Sequence, residues 1–280
     1  MLPACTAPPA PAPATASPSA SVSRSPSPTR SWTPDPSPTT VPPVTPSVPA
    51  PPGGGPAPAP GPAPAGYPWH TGIVSTTFWV GEVFDPDAPD GSQEYSAYDS
   101  RWMESYGGCD GVTTDGGCET EPRTAANDYF PSSMTPRENP FYLDLPFDDV
   151  NSRAAFAMRD SVVPWASRAP YAAHRGDRGF SYLKNRWVEI VHGGRRCFGQ
   201  IEDAGPGVYD DARYVFGTDD ARPANREFNG AGLDVSPALT SCLGFADIDG
   251  QDAIVSWRFV EESDVLPGPW TRLVTTSGVR

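Results

Sequence analysis

Two aspartates in this chain stand where extended segments end. In "CFGQIEDAGPG" (197–207) a strand-like run closes on Glu202 and Asp203 and stops at Gly205-Pro206, and in "GLDVSPAL" (232–239) Asp234 lies two residues before a helix start. Side-chain alternation puts Cys197, Gly199, Ile201 and Asp203 on one face and Phe198, Gln200 and Glu202 on the other. Asp203 then leaves the strand on the inward, cysteine side, at the mouth of a barrel, while Glu202 belongs to the solvent-side set and is inert. Two carboxyls so placed suit acid–base work on a glycosidic bond, one of them protonated as general acid. The same residues also suit plain turn chemistry, because Asp caps Gly-Pro turns and feeds helix N-termini.

Several elements must hold these residues. "GIVSTTFWVGEVF" (72–84) is β-branched and aromatic, as a first strand requires. Residues 85–135, rich in Gly, Asp, Pro and Ser, form a long elaborated loop. "NPFYLDLPF" (139–147) is a second extended run, with Phe141, Leu143 and Leu145 set against Tyr142 and Asp144. A short helix within 150–165 ends before Pro164. "NRWVEIV" and "CFGQIED" flank His192-Gly193-Gly194 as a hairpin, since the glycines supply the positive φ its turn needs. Ser236 is an N-cap, Pro237 the first helical residue, and Gly244 the stop. Val255, Trp257 and Phe259 alternate with Ser256 and Arg258 in a half-buried last strand. Short strands, few helices and long loops favour a small β-barrel over a sandwich or an α/β sheet.

Composition divides the chain in two. Residues 1–66 hold 22 of the 37 prolines, with Arg24, Arg30 and Asp35 their only charges. They read as a disordered, partly polyproline-II tether reaching on the order of 200 Å when stretched. Residues 67–280 are long enough for one barrel domain, its core spanning about 72–84 and 139–260. The tail is +1, so the net −14 leaves −15 on this part, which excludes nucleic acid as a partner and suits neutral sugars or a basic partner. Leu2-Pro3-Ala4-Cys5 resembles a lipobox. The expectation is a start further upstream with Cys5 as a lipidated N-terminus, the alternative being a free tail cysteine.

The remaining cysteines number four, which suggests two disulfides with three possible connectivities. Cys109–Cys118, closing "CDGVTTDGGC", and Cys197–Cys242 are the favoured pairs. Zinc is disfavoured because there is no C-x-x-C and the histidines are scattered, and no metal or cofactor is expected. Trp79, Trp102, Tyr106, Tyr129 and Tyr142 are candidates for a sugar platform, with core packing as the competing use of aromatics.

"NRWVEIVHGGRRCFGQIEDAGPG" followed by "NGAGLDVSPALTSCLGF" resembles the double-psi β-barrel of rare lipoprotein A, expansins and related barrel endoglucanases, with "STTFW" (75–79) supplying the first barrel strand. The resemblance implies a mainly β, six-stranded double-psi barrel with short helices and long loops. It places Asp203 at the aspartate of an Asp-Arg-Gly-Pro turn implicated in lytic transglycosylase activity, and Asp234 at the aspartate of an expansin Leu-Asp-Leu-Ser segment. His174 in "YAAH" corresponds to a lipoprotein histidine, and Thr77 to a threonine of the expansin first strand. Ala204 stands where the turn has arginine, and 209–227 is an acidic insertion. The implied function is an exported, expansin-like, non-hydrolytic protein that binds or remodels a cell-wall polysaccharide, peptidoglycan or cellulose-like. Thr77, Trp79 and Tyr142 would contact the glycan. The alternatives are a lytic transglycosylase or glycoside hydrolase using Asp203 and Asp234 with His174, and a purely structural or protein-binding barrel. The expected setting is extracellular or at the cell envelope, as a monomer.

Overall fold

The structure, a computed structural model, describes residues 66–84, 91–248 and 250–280. Cys5 and all of the Pro-rich tether except Gly66 lie outside the described residues. Among the described residues eight strands occur in chain order: β1 His70–Thr77, β2 Val112–Thr114, β3 Gly117–Glu119, β4 Tyr142–Leu145, β5 Trp187–His192, β6 Arg195–Ala204, β7 Leu233–Val235 and β8 Ala253–Val260. Four short α-helices accompany them: α1 Trp102–Tyr106, α2 Arg153–Val162, α3 Ala212–Phe216 and α4 Pro237–Leu243. None is long and apolar enough to cross a membrane.

Six strands close a barrel in the order β1-β7-β4-β6-β5-β8, while β2 and β3 form a separate hairpin. The barrel is mixed: β1 with β7 and β4 with β6 are parallel, and the other four pairs are antiparallel. The parallel pairs connect strands distant in sequence, so the barrel cannot be assembled from hairpins alone. Within the barrel, among the described residues, only β5–β6 is a tight hairpin, turned by Gly193 (φ 53°) and Gly194 (φ 82°) as the sequence requires.

Local signals place several elements well. Ser236 caps α4 by accepting from the Leu239 amide at 3.3 Å, and Gly244 ends that helix in the left-handed region. Ser152 caps α2, which stops at Val162, before Pro164. In β8, Val255, Trp257 and Phe259 are buried while Ser256 and Arg258 are half-buried. The first strand differs from the expected 72–84. It starts at His70 and ends at Thr77, because the chain then turns, with the Glu82 amide bonded to the Trp79 carbonyl at 2.9 Å and Gly81 at φ 89°.

The main core gathers Leu143, Leu145, Ile201, Leu233, Val235, Leu239 and Trp257. A satellite cluster of Phe78, Val80, Trp102, Tyr106 and Tyr142 lies under the long loop. The last twenty residues, on which the sequence was silent, seal the barrel wall. Gln200 accepts from the Thr275 amide at 2.9 Å and donates to its carbonyl at 3.0 Å. Both favoured disulfides are formed, Cys109–Cys118 and Cys197–Cys242. Such bonds persist in oxidising compartments.

Candidate functional site

β4 carries the residue on which the site is built. Asp144 pairs in register with Asp203 on one neighbouring strand, β6, and with Asp234 on the other, β7. Three aspartates thus lie side by side across adjacent strands. The pairing with β6 contains a bulge: Leu143 is opposite Ile201 but Asp144 is opposite Asp203, so Glu202 is the extra residue. This bulge overturns the expected face of Asp203. Strict alternation grouped it with Ile201 and Cys197, whereas the bulge brings it level with Asp144, whose face also carries Tyr142 and the satellite cluster. Asp203 therefore does not leave toward the main core.

The Asp234 amide donates to Asp144 Oδ1 at 3.2 Å. Opposed positions on antiparallel strands hold their β-carbons about 4.5–5.5 Å apart, within direct carboxyl–carboxyl influence. Gly205 makes room for the other oxygen: a β-carbon there would lie 2.6 Å from Asp144 Oδ2. The Gly-Pro turn after Asp203 thus serves Asp144. Asp203 itself accepts from the Ala97 amide at 2.7 Å and the Ala204 amide at 2.8 Å, tying the long loop to the barrel. The Cys197–Cys242 bond fastens the strand bearing Asp203 to the helix that follows Asp234.

Asp144 and Asp234 line one cavity of about 260 Å³. Asp203 lines a second, of about 600 Å³, and Phe84, Gln93, Ala204 and Tyr209 border both. Phe84, Tyr209 and Phe228 are exposed aromatics lining the first cavity, 56, 52 and 55 % accessible, and Tyr95, at 38 %, lines the second. No basic residue is among the described residues lining the first cavity. A further hollow of about 570 Å³ beside α1 holds none of the three aspartates.

Burial dominates the electrostatics. It holds the Asp144 carboxyl well above the usual carboxylate range, with the charges of Asp234 and Asp203 adding to the effect. Asp234 is pushed up to about 8 by burial and then by Glu82 and Asp203. The residue as a whole is half-buried, yet its Oδ1 is sealed from solvent and lacks a hydrogen-bond partner. Burial lifts Asp203 to about 7 against the opposing pull of its two amide donors. The Asp144–Asp234 pair therefore keeps a proton at neutral pH and releases it as a unit. A protonated carboxyl beside an ionisable one can donate a proton to a leaving oxygen or hydrogen-bond a hydroxyl in either direction.

Other sequence-predicted residues fall elsewhere. Thr77 borders the cavity, but its hydroxyl is shared with Thr240 at 2.8 Å. Its neighbour Thr76, in register with Asp234, is 3 % exposed with an unpartnered Oγ1. Tyr142 is fully buried, its hydroxyl on Asp110 at 2.8 Å and its ring edge-on to Phe78, so it offers no face to a ligand. Trp79 is half-buried, donates to the Cys118 carbonyl at 2.9 Å, and borders neither cavity. His174 also borders neither; it pairs with Asp177 at 2.9 Å and stacks on Phe180. Trp102 and Tyr106 are core.

Glu202 is not solvent-side. It is 1 % exposed and forms an ion pair with Lys184 at 2.5 Å, the bulge and the covering C-terminal segment having taken it inside. Asp144 is the functional residue that sequence reasoning missed. Its signal was an acid between two core leucines, "YLDL", which alternation set with Tyr142 against Phe141, Leu143 and Leu145. No protein-family model and no curated protein matches this chain, so function is argued from the site alone.

Proposed function

We propose that this chain is an exported double-psi barrel protein that binds or remodels a cell-wall polysaccharide without hydrolysing it. The observation that carries the reading is the exposed aromatic rim of Phe84, Tyr209 and Phe228 around a cavity floored by Asp144 and Asp234. Aromatic faces take up pyranose rings, and protonated carboxyls hydrogen-bond sugar hydroxyls in both directions. The closed six-stranded mixed barrel is compatible with the double-psi topology implied by the Asp-x-Gly-Pro turn and the Asp-x-Ser helix start. Two disulfides suit an exported protein.

A second reading, a lytic transglycosylase or glycoside hydrolase, is favoured by one observation: a coupled, proton-holding Asp144–Asp234 pair is what a general acid requires. Asp203, anchored by two amides and opening on the neighbouring cavity, would then position the chain that bears the turn. Pull-down on insoluble peptidoglycan and cellulose, followed by assay for reducing and anhydro ends, separates the readings. Retention without product supports the binding function. Product that disappears in Asp234→Asn supports catalysis, and failure to bind either polymer removes both.

A further inference from the structure

We propose that the hollow beside α1 is a subsite for a zwitterionic side group of the glycan, a peptide substituent bearing both a free carboxylate and a free ammonium. The polymer taken up is then a peptide-substituted wall glycan rather than an unsubstituted one. The inference rests on the glycan-binding reading above and adds the substituent that the glycan must carry. This hollow, of about 570 Å³, shares Tyr95 and Ser100 with the cavity lined by Asp203. That cavity in turn shares Phe84, Gln93, Ala204 and Tyr209 with the cavity of Asp144 and Asp234. The three are adjoining stretches of one surface, and a glycan lying over the first two brings its side groups to the third. Tyr95, 38 % accessible, borders the second and the third alike.

Four charged side chains line the hollow: Glu94, Arg101, Glu104 and Arg137. Arg101 and Glu104 neutralise one another at 3.3 Å. Glu94 and Arg137 do not. Both are exposed, and neither side chain has a hydrogen bond or ion pair among the described residues. Their backbones, by contrast, are fixed. The Met103 amide donates to the Glu94 carbonyl at 2.9 Å, and the Arg137 amide donates to the Tyr106 carbonyl at 2.7 Å. These two anchors lie within one turn of α1, about 4.5 Å of rise apart. The helix thus holds one free anion and one free cation at the same hollow, both open to solvent. Gly107 makes room for the arginine, since a β-carbon there would lie 3.4 Å from Arg137 Cγ and 3.3 Å from the Thr135 carbonyl oxygen. A simple anion or cation is drawn by one of these charges and repelled by the other. A group of both signs satisfies each, its carboxylate taking the guanidinium fork of Arg137 and its ammonium the carboxylate of Glu94. A neutral glycan gains neither contact, which is how the subsite discriminates.

The test is co-sedimentation of the full chain at low salt with insoluble peptidoglycan whose peptides contain a diamino acid. Three forms are compared: intact, with the peptide amines acetylated, and with the peptides removed by an amidase. Cellulose is the unsubstituted reference. The intact polymer is expected to bind about fivefold or more tighter than the stripped one, the scale of an exposed ion pair, with the acetylated form between them. That preference shrinks as salt is raised. It falls several-fold in Arg137→Gln, and in Glu94→Gln the intact and acetylated polymers bind alike, with circular dichroism checking each fold. Equal or tighter binding of the stripped polymer or of cellulose overturns the inference while leaving glycan binding intact. Acetylation without effect on the parent chain, or a preference that Arg137→Gln leaves whole, overturns it equally. Binding of no polymer overturns both.

Discussion

Asp144 and Asp234 face one another across antiparallel β4 and β7, and the backbone amide of Asp234 donates to Asp144 Oδ1 at 3.2 Å. Burial raises the proton affinity of both, the charges of Asp234 and Asp203 add to it at Asp144, and those of Glu82 and Asp203 add to it at Asp234. Replacing Asp234 by Asn removes one charge from this unit. Asp144 is then expected to titrate lower and as a single step, read by carbon NMR of the carboxyl. A titration curve unchanged from the parent would contradict the coupling.

Stability should fall as pH rises from about 4 to about 8. Asp203, Glu202 and Asp234 have folded values near 7, 7 and 8, above their unfolded ones, so the fold retains protons that the open chain releases. The stabilisation is complete below the unfolded values and disappears as pH passes the folded ones. His70 opposes this trend. Burial lowers it to about 4, so its contribution is present above its unfolded 6.5 and is lost as pH falls toward 4. Glu261, held down to about 2 with Tyr67 and Arg168 hydrogen-bonded to it, loses its contribution only below about pH 4.5. Several acids against one histidine give a net decline, measurable as thermal midpoints at pH 5, 7 and 9. Midpoints flat or rising across that range would count against the buried acids.

Gly205→Ala should cost about 1–3 kcal/mol, the usual penalty of overpacking. The cause is local, since the new methyl would meet Asp144 Oδ2 at 2.6 Å. Adding Asp144→Ala relieves the clash, so denaturant unfolding of the two single variants and the double is expected to show a favourable coupling. Additive losses would mean that Gly205 matters for another reason.

Lys184→Met leaves Glu202 buried and unpaired, with an expected loss of about 3–5 kcal/mol. Glu202→Gln in the same chain should recover much of it, because the stranded charge is then gone. Both residues are below 10 % exposed, at 8 and 1 %, so solvent does little to screen the pair. Equilibrium unfolding in urea measures both effects, and equal losses in the single and double variants would rule out a stranded charge.

The two disulfides should contribute unequally. Their sequence separations are 45 and 9 residues for Cys197–Cys242 and Cys109–Cys118. Loop-closure entropy then gives about 4 and about 3 kcal/mol. Alanine pairs at each bridge, compared by thermal unfolding, are expected to preserve that order. The Cys197–Cys242 variant should also weaken ligand binding more, because it frees α4 from the strand that carries Asp203.

Much of this protein was legible one segment at a time. The Ser236-Pro237 helix start, the Gly193-Gly194 hairpin and the Val255–Trp257–Phe259 strand rest on short-range rules that need no tertiary partner. Asp203 and Asp234 were visible because punctuation follows each, a Gly-Pro turn and a helix cap. Asp144 has no such neighbour. In "FYLDLPF" it reads as the polar half of an alternating strand, and its importance depends on which strands flank β4.

The sequence by itself determined several elements, among them the Ser236-capped helix, the β5–β6 hairpin and the last strand, along with the acidic charge and the compositional break before the barrel, since local propensity and charge are carried by the residues themselves. Tertiary structure decided the site. Parallel pairing placed β4 between two strands far from it in sequence, which no local pattern encodes. One bulge at Glu202 then reversed the face on which Asp203 was expected, because a single extra residue shifts the phase of every side chain beyond it. Burial, a property of the assembled barrel, made proton-holding groups of carboxyls that would be ordinary on an exposed strand.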